Sequence, residues 1–336
     1  MLKTYKRIFS TVSNTWYDCP MLAELVKFTE KSERLFEKNV SAKAFTTFGV
    51  GKGALFLARA KTTDEFISLL STVYKNSIPF VVLGGGSNVI FPDYELEKLV
   101  IINESTEFFI NGNEIVVSAG VPLATLINKT IEEGLSGVES LSGIPGTVGG
   151  AIVGNAGAYG QLISNSLISV DIFDGTLRKT LSKQECAFLY RDSIFKKEPW
   201  YVLSARFILT FQKKEEMAQR AKEIIDMRNK KYPKGLRCPG SFFKNVLPNG
   251  ISTESLAKID ASKIKGGKIP AGYLLETVGA PGMKEGGISV ANYHGNLFIN
   301  NDTGTAHDVE TLSALLAERV SDSFGIKLTP EVQFVK

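Results

Sequence analysis

Between Ser142 and Gly160 the chain reads SGIPGTVGGAIVGNAGAYG, seven glycines interleaved with Ile144, Val148, Ile152, Val153 and Tyr159. A disordered linker would be polar and would lack the branched apolar residues. The segment therefore belongs to a folded interior, and its missing β-carbons let something lie against backbone. A flat ring or a pyrophosphate fits that need, and so does a second element of the chain packed close.

A second glycine cluster lies upstream. PFVVL (79–83) reads as a buried strand that runs directly into Gly84-Gly85-Gly86-Ser87-Asn88. Successive glycine N–H groups can converge into an anion nest, to which Ser87 and Asn88 add side-chain donors. A simple tight turn explains the cluster as well. The next residues, Val89-Ile90-Phe91-Pro92, look like strand and turn rather than helix, so a Rossmann fingerprint is excluded; a Walker loop is absent. Two glycine clusters after strands suggest one long ligand threaded between them, and a dinucleotide fits that description.

The remaining chain divides into short elements. Residues 64–76 place Phe66, Leu69, Leu70 and Val73 on one helical face. KLVIIN (98–103) and EIVVSA (114–119) flank Asn111-Gly112-Asn113, predicting a hairpin. Pro122 opens an amphipathic helix carrying Leu123, Leu126, Ile127 and Ile131, which Gly134 closes. Asp174-Gly175 predicts a second hairpin, and Ser182 with Glu185 a capping box before a short helix ending near Tyr190. After the strand-like run 200–211 the period changes, and 214–231 reads as a helix with Met217, Ala221, Ile224, Ile225 and Arg228 on one side. That change near 212 marks a domain boundary. The second part ends in a helix over 306–324 and a strand, IKLTPEVQFV.

Composition narrows the function classes. A chain of 336 residues has room for two or three domains, and 39 Lys+Arg against 35 Asp+Glu leaves only +4. Such a balance does not argue for nucleic acid, although it suits a small anionic ligand. Cys19, Cys186 and Cys238 form no C-x-x-C pair, and His294 and His307 are the only histidines, so neither a disulfide framework nor a metal site is expected. No run reaches the ~20 apolar residues of a membrane span, and the basic N-terminus lacks a leader's apolar core. A cytoplasmic protein with an N-terminal extension over 1–40 is the expectation.

Two further stretches could carry chemistry: Tyr190-Arg191-Asp192-Ser193-Ile194-Phe195-Lys196 and Gly240-Ser241-Phe242-Phe243-Lys244-Asn245. Each sets a cation and a hydroxyl among aromatics, where low dielectric strengthens the hold on an anion.

Taken in order, TTFGVGKGA (46–54), VLGGGSNVIF (82–91), the 142–160 segment, YRDSIFK (190–196), GSFFKN (240–245), AGYLLETVGAPGMKEGGISV (271–290), HGNLFIN (294–300) and LTPEVQFV (328–335) resemble the UDP-N-acetylenolpyruvoylglucosamine reductase family. The triple glycine is shared by other FAD-binding oxidoreductases; the Tyr-Arg-x-Ser, Gly-Ser-Phe-Phe-Lys-Asn and Pro-Glu-Val series is specific. The resemblance implies an α+β chain. A two-lobed FAD-binding domain of the vanillyl-alcohol-oxidase-like type would cover 41–212, with lobes of about 41–103 and 104–212. A smaller α+β substrate-binding domain would cover 213–336. It also implies NADPH-dependent reduction of UDP-N-acetylglucosamine enolpyruvate to UDP-N-acetylmuramate in peptidoglycan precursor synthesis, with hydride passing from reduced flavin to C3 and a proton to C2.

Carried over by motif, Ser241 would donate the proton, while Arg191 and Glu331 would stabilise the enolate. Gly84, Gly85, Gly86, Ser87 and Asn88 would bind the FAD pyrophosphate, and Gly146, Thr147, Gly149 and Gly150 would line the flavin. Tyr190, Lys231, Asn245 and His294 would meet the substrate. The glycine motifs hold no His or Cys, so non-covalent FAD is expected. No membrane, nucleic-acid or obligate protein partner is implied, and the C-terminal region resembles the group without the tyrosine-bearing lid loop. The first motif reads Thr47-Phe48-Gly49-Val50-Gly51-Lys52 where the family has a basic residue and a Gly-Gly pair. Pro239 and Val246 also depart from the family pattern. Another FAD-dependent oxidoreductase on the same fold, or a flavin- or nucleotide-sugar-binding protein without catalysis, are the competing readings.

Overall fold

The computed structural model describes residues 36–336; the basic N-terminal stretch and Cys19 lie outside the described residues. A first sheet orders its strands Phe36–Ser41, Gly53–Ala60, Leu96–Asn103 and Phe80–Leu83. The first two are antiparallel and the other pairs are parallel. Parallel strands need a crossover, which the helix Thr63–Lys75 supplies. Thr62 caps that helix by accepting from the Glu65 N–H, and Phe66, Leu70 and Val73 are buried against Ala58, Leu99 and Ile101. Residues 36–40, counted with the extension by sequence, form most of the edge strand.

The expected pairing of KLVIIN with EIVVSA does not occur. Leu99, Val100, Ile101 and Ile102 are buried in an inner strand of the first sheet, and the hairpin arm across Asn111-Gly112-Asn113 is instead Phe108–Asn111. A continuous apolar run marks a strand covered on both faces, whereas a hairpin arm with one wet face alternates.

The second sheet is antiparallel throughout, in the order Arg178–Ser182, Leu167–Phe173, Tyr201–Ile208, Glu114–Ser118, Phe108–Asn111. The helices Leu123–Glu132 and Val148–Val153 share its buried cluster through Leu123, Leu126, Ile127, Val148 and Ile152. The Asp174-Gly175 hairpin forms, with Asp174 Oδ1 accepting from the Thr176 and Leu177 N–H groups. The Ser182–Glu185 capping bond also forms, but no helix follows it. Ala187 has φ 46°, a left-handed conformation that halts helix propagation.

The helix Lys214–Lys231 buries Met217, Ala221 and Ile224, while Ile225 is 39% exposed. Beyond it, the strands Lys284–Glu285, Ile288–Val290 and Phe298–Asn300 form a small antiparallel sheet that shares one core with the helices Ala271–Thr277 and Ala306–Phe324. Thr305 and Asp308 close a capping box on the last helix, and Asp93 adds a second carboxylate there, accepting from the Ala306 and His307 N–H groups at 2.8 and 3.0 Å. The IKLTPEVQFV strand shrinks to Gln333–Phe334, paired in parallel with Val89–Ile90. Pro330 lacks an N–H to continue the ladder and makes only an isolated bridge to Phe243.

Candidate active site

The two glycine segments meet face to face. A β-carbon on Gly84 would stand 2.3 Å from Thr147 Oγ1, and one on Gly85 would stand 2.7 Å from Gly146 Cα. A β-carbon on Gly146 would in turn meet Ser87 Oγ at 2.9 Å, and one on Gly149 would meet the Ala119 methyl at 2.8 Å. These glycines therefore allow one backbone to lie on another, the second of the two needs open in the sequence. Gly150 is different: its nearest neighbour is Thr147 Oγ1 at 3.7 Å. Thr147 caps the helix Val148–Val153 by accepting from the Gly150 N–H.

Together the two segments wall a cavity of about 740 Å³ that contains every residue of both proposed cofactor motifs. Among the described residues, the N–H groups of Gly85, Gly86, Ser87 and Asn88 donate to no protein acceptor. Their side chains are turned to internal use: Ser87 Oγ donates to Pro145 O, and Asn88 Nδ2 donates to Glu331 O at 3.0 Å.

The same cavity collects the charged groups. Leu189 and Asp192 pair across a two-residue loop, Tyr190-Arg191, and Arg191 takes φ 54°, a conformation costing about 1–3 kcal/mol in a non-glycine residue. The loop is held from behind by Ser193 Oγ donating to Val153 O and by Lys196 Nζ donating to Arg191 O at 2.8 Å. Arg191 Nη2 donates to Gly157 O at 3.0 Å, and its Nε lies 2.8 Å from Glu331 Oε1 without pointing its hydrogen at it. Glu331 arrives on a chain segment whose N–H donates to Phe242 O, one residue beyond Ser241.

Burial, and after it the neighbouring Lys244 charge, holds the Lys196 ammonium below its ordinary pKa. Burial likewise raises the Tyr190 phenol, whose ring has Lys268 Nζ at 5.0 Å. The site is a recess rich in cations, Arg191, Lys196 and Arg228 among them, with the Glu331 carboxylate beside Arg191. It can hold an anion and neutralise charge that develops beside Arg191.

A family model described as "FAD binding domain" matches residues 54–179, and one described as "UDP-N-acetylenolpyruvoylglucosamine reductase, C-terminal domain" matches residues 232–335. The UDP-N-acetylenolpyruvoylglucosamine reductase of Solibacter usitatus is 36% identical over 87% of this chain and 94% of its own length. The chain belongs to the UDP-N-acetylenolpyruvoylglucosamine reductase family. The reductase of Caldanaerobacter subterraneus is 32% identical over 94% of this chain and 98% of its own. The crystal structure of the Thermus caldophilus reductase superposes with a TM-score of 0.71 at 30% identity, covering 90% of this chain and 99% of that one.

Both glycine segments fall inside the FAD-binding domain of this family member. The free N–H groups of Gly85, Gly86, Ser87 and Asn88 suit a pyrophosphate, and the open face of Gly150 suits a flat ring, so the residues present fit FAD.

The other site residues expected of a reductase divide. Tyr190, Arg191, Ser241, Asn245 and Glu331 line the cavity. Asn245 Oδ1 is spent on the Ala271 N–H, which leaves its amide donors for a ligand. Lys231 does not line the cavity, yet its Nζ lies 3.5 Å from Ser241 Oγ, ten residues along the chain. His294 lies outside it: Nδ1 is 3.3 Å from Glu276 Oε1, Nε2 is buried without a partner, and burial followed by Lys231 keeps its pKa low. A neutral, packed histidine in contact distance of Gly272 is the physical reason it stays off the cavity.

Tyr232 and Arg228 are cavity residues that the sequence reading did not assign to ligand or chemistry. Tyr232 stood in view as the middle residue of Lys-Tyr-Pro, and Arg228 stood on the apolar face of its helix, where a cation is out of place.

Proposed function

We propose that the chain reduces UDP-N-acetylglucosamine enolpyruvate to UDP-N-acetylmuramate with NADPH, as a cytoplasmic step of peptidoglycan precursor synthesis. The observation that carries this reading is the meeting of Arg191, Glu331 and Ser241 on one cavity with the glycine walls. FAD would be held non-covalently in a two-lobed, vanillyl-alcohol-oxidase-like domain, its lobes at about 41–103 and 104–212 and its wall formed by Gly84, Gly85, Gly86, Ser87, Asn88, Gly146, Thr147, Gly149 and Gly150. The substrate would sit on the part beyond residue 212. FAD held in its domain would supply the hydride chemistry, reduced by NADPH and directed at C3 of the enolpyruvyl group.

The chain's own residues do the rest. Arg191, fixed by the Gly157 carbonyl, and Glu331, fixed by Asn88, flank the substrate carboxylate and offset charge as it becomes an enolate. Ser241 gives its proton to C2. Tyr190, Lys231 and Asn245 hold the anionic groups of the nucleotide sugar. The two glycine segments lie close against each other and so would form one continuous wall of the site.

Rapid mixing tests the reading. The purified protein should show a flavin band that NADPH bleaches and that the enolpyruvyl nucleotide sugar restores. A colourless protein that cannot be reconstituted with FAD defeats it. Flavin bleached by an alcohol or hydroxy acid, with no response to the nucleotide sugar, assigns a different oxidoreductase.

A further inference from the structure

The helix Lys214–Lys231 stops at Tyr232, whose φ of −125° and ψ of 79° turn the chain out of helix. Tyr232 Oη lies 3.1 Å from Ser241 Oγ, with either atom able to donate. Lys231 Nζ is 3.5 Å from the same Oγ and 5.0 Å from the Tyr232 ring centre, and the Arg228 guanidinium is 5.2 Å from that ring. Tyr232 lines the cavity and is only partly buried, so it touches both Ser241 and solvent. No other serine or threonine hydroxyl on the cavity has a phenol and an ammonium on it among the described residues.

Donation at C2 asks Ser241 for something an aliphatic hydroxyl does badly. It parts with a proton about as reluctantly as bulk water, far above any physiological pH. A phenol does so near 10. On the reductase reading of the site, we infer that Tyr232 is the proton supply behind Ser241. As the Ser241 O–H bond breaks and the C2–H bond forms, the Tyr232 O–H proton passes to Ser241 Oγ. The serine is never left as an alkoxide. Tyr232 becomes the phenolate, which the Lys231 and Arg228 cations stabilise until a water proton restores it. No electrons move in this step, and each turnover takes one proton from solvent. Tyr232 acts through Ser241, so it is a positioning and proton-supplying residue.

Tyr232→Phe keeps the ring and its two cation contacts, and the experiment separates the half-reactions of the full-length, FAD-loaded enzyme. NADPH should bleach the variant's flavin at the wild-type rate. Reoxidation by the enolpyruvyl nucleotide sugar should fall about 10²-fold, the lower end of a general acid's contribution. In mixtures of light and heavy water the wild-type reoxidation rate should follow a bowed proton inventory, with two protons in flight, and the variant a straight one. In flavin-free protein labelled at tyrosine Cζ, the resonance missing from Tyr232→Phe should move on Ser241→Ala.

Wild-type reoxidation in the variant overturns the inference, as does a straight wild-type inventory or an unmoved resonance. The inventory and the resonance need no folded Phe variant beyond the assignment. If the wild type is reduced by NADPH but ignores the nucleotide sugar, the reductase reading itself has failed and the inference falls with it.

Discussion

Gly85 and Gly150 both line the cavity, yet alanine at each should fail in a different way. A β-carbon on Gly85 would stand 2.7 Å from Gly146 Cα, a backbone atom that cannot swing aside. Parting the two segments enough to restore ordinary contact falls in the overpacking range, about 1–3 kcal/mol of stability. At Gly150 the nearest atom is Thr147 Oγ1, at an ordinary 3.7 Å, and the residue lies inside the helix Val148–Val153. Alanine there gains about 0.5–1 kcal/mol from backbone entropy and helix propensity. Its methyl would stand where a flavin must approach, and a clash of about 1–3 kcal/mol weakens binding roughly 5- to 150-fold.

Urea unfolding of the flavin-free proteins, paired with FAD titration by flavin fluorescence, separates the two. Gly85→Ala should unfold at lower urea; Gly150→Ala should unfold at higher urea and bind FAD more weakly. Gly150→Ala with wild-type FAD affinity would remove Gly150 from the wall. Gly85→Ala with wild-type stability would refute the claim that the two backbones need each other's missing β-carbons.

Ser241→Ala should leave flavin reduction by NADPH intact while slowing reoxidation by the nucleotide sugar about 10²- to 10⁴-fold, measured by stopped flow. Arg191→Lys should lose at least about 10-fold in kcat, because one ammonium cannot reach Gly157 O and Glu331 together as the planar guanidinium does. Asp93→Ala should cost about 1–3 kcal/mol in urea unfolding, since two N–H groups of the last helix lose a charged acceptor.

Glu139 supplies the pH dependence. Burial opposes its charge, but bonds from the Gly137 N–H, Ser136 and Gln161 more than offset that, so its pKa lies below the usual 4.5. A depressed carboxylate adds stability above its unfolded pKa, and that stability is lost as pH falls through the folded value. Glu139→Gln should therefore flatten the acid limb of a stability-against-pH curve below about 4.5, and an unchanged limb would refute the assignment.

Long amphipathic helices were readable from sequence: those expected over 214–231 and about 306–324 are both present, the first at a change of period and the second held in the structure by the Thr305 cap and Gly325 at φ 68°. Pairing was less readable. KLVIIN announces a buried strand, but its neighbours come from residues 53–60 and 80–83, and no local pattern encodes that. The same gap explains the site. Arg191 and Glu331 are separated by most of the second half of the chain, and only the motif series joined them; what holds each in place, Gly157 O and Asn88 Nδ2, is a contact that no spacing records. Tyr232 is not legible in the sequence, because a tyrosine after a lysine carries no signal until Ser241 is folded against it.

The bond from Asn88 to the Glu331 carbonyl joins residues 243 apart, and Asn88 O accepts in return from the Gln333 N–H. On a ribosome the strand–glycine unit is made early and its partner strand late. For the whole interval of translation between them, the cofactor loop exists without the strand that braces it. Bracing of the cofactor loop and the placing of the Glu331 carboxylate therefore become a single late event, and a chain stalled before residue 331 would have all of its glycines and no finished site.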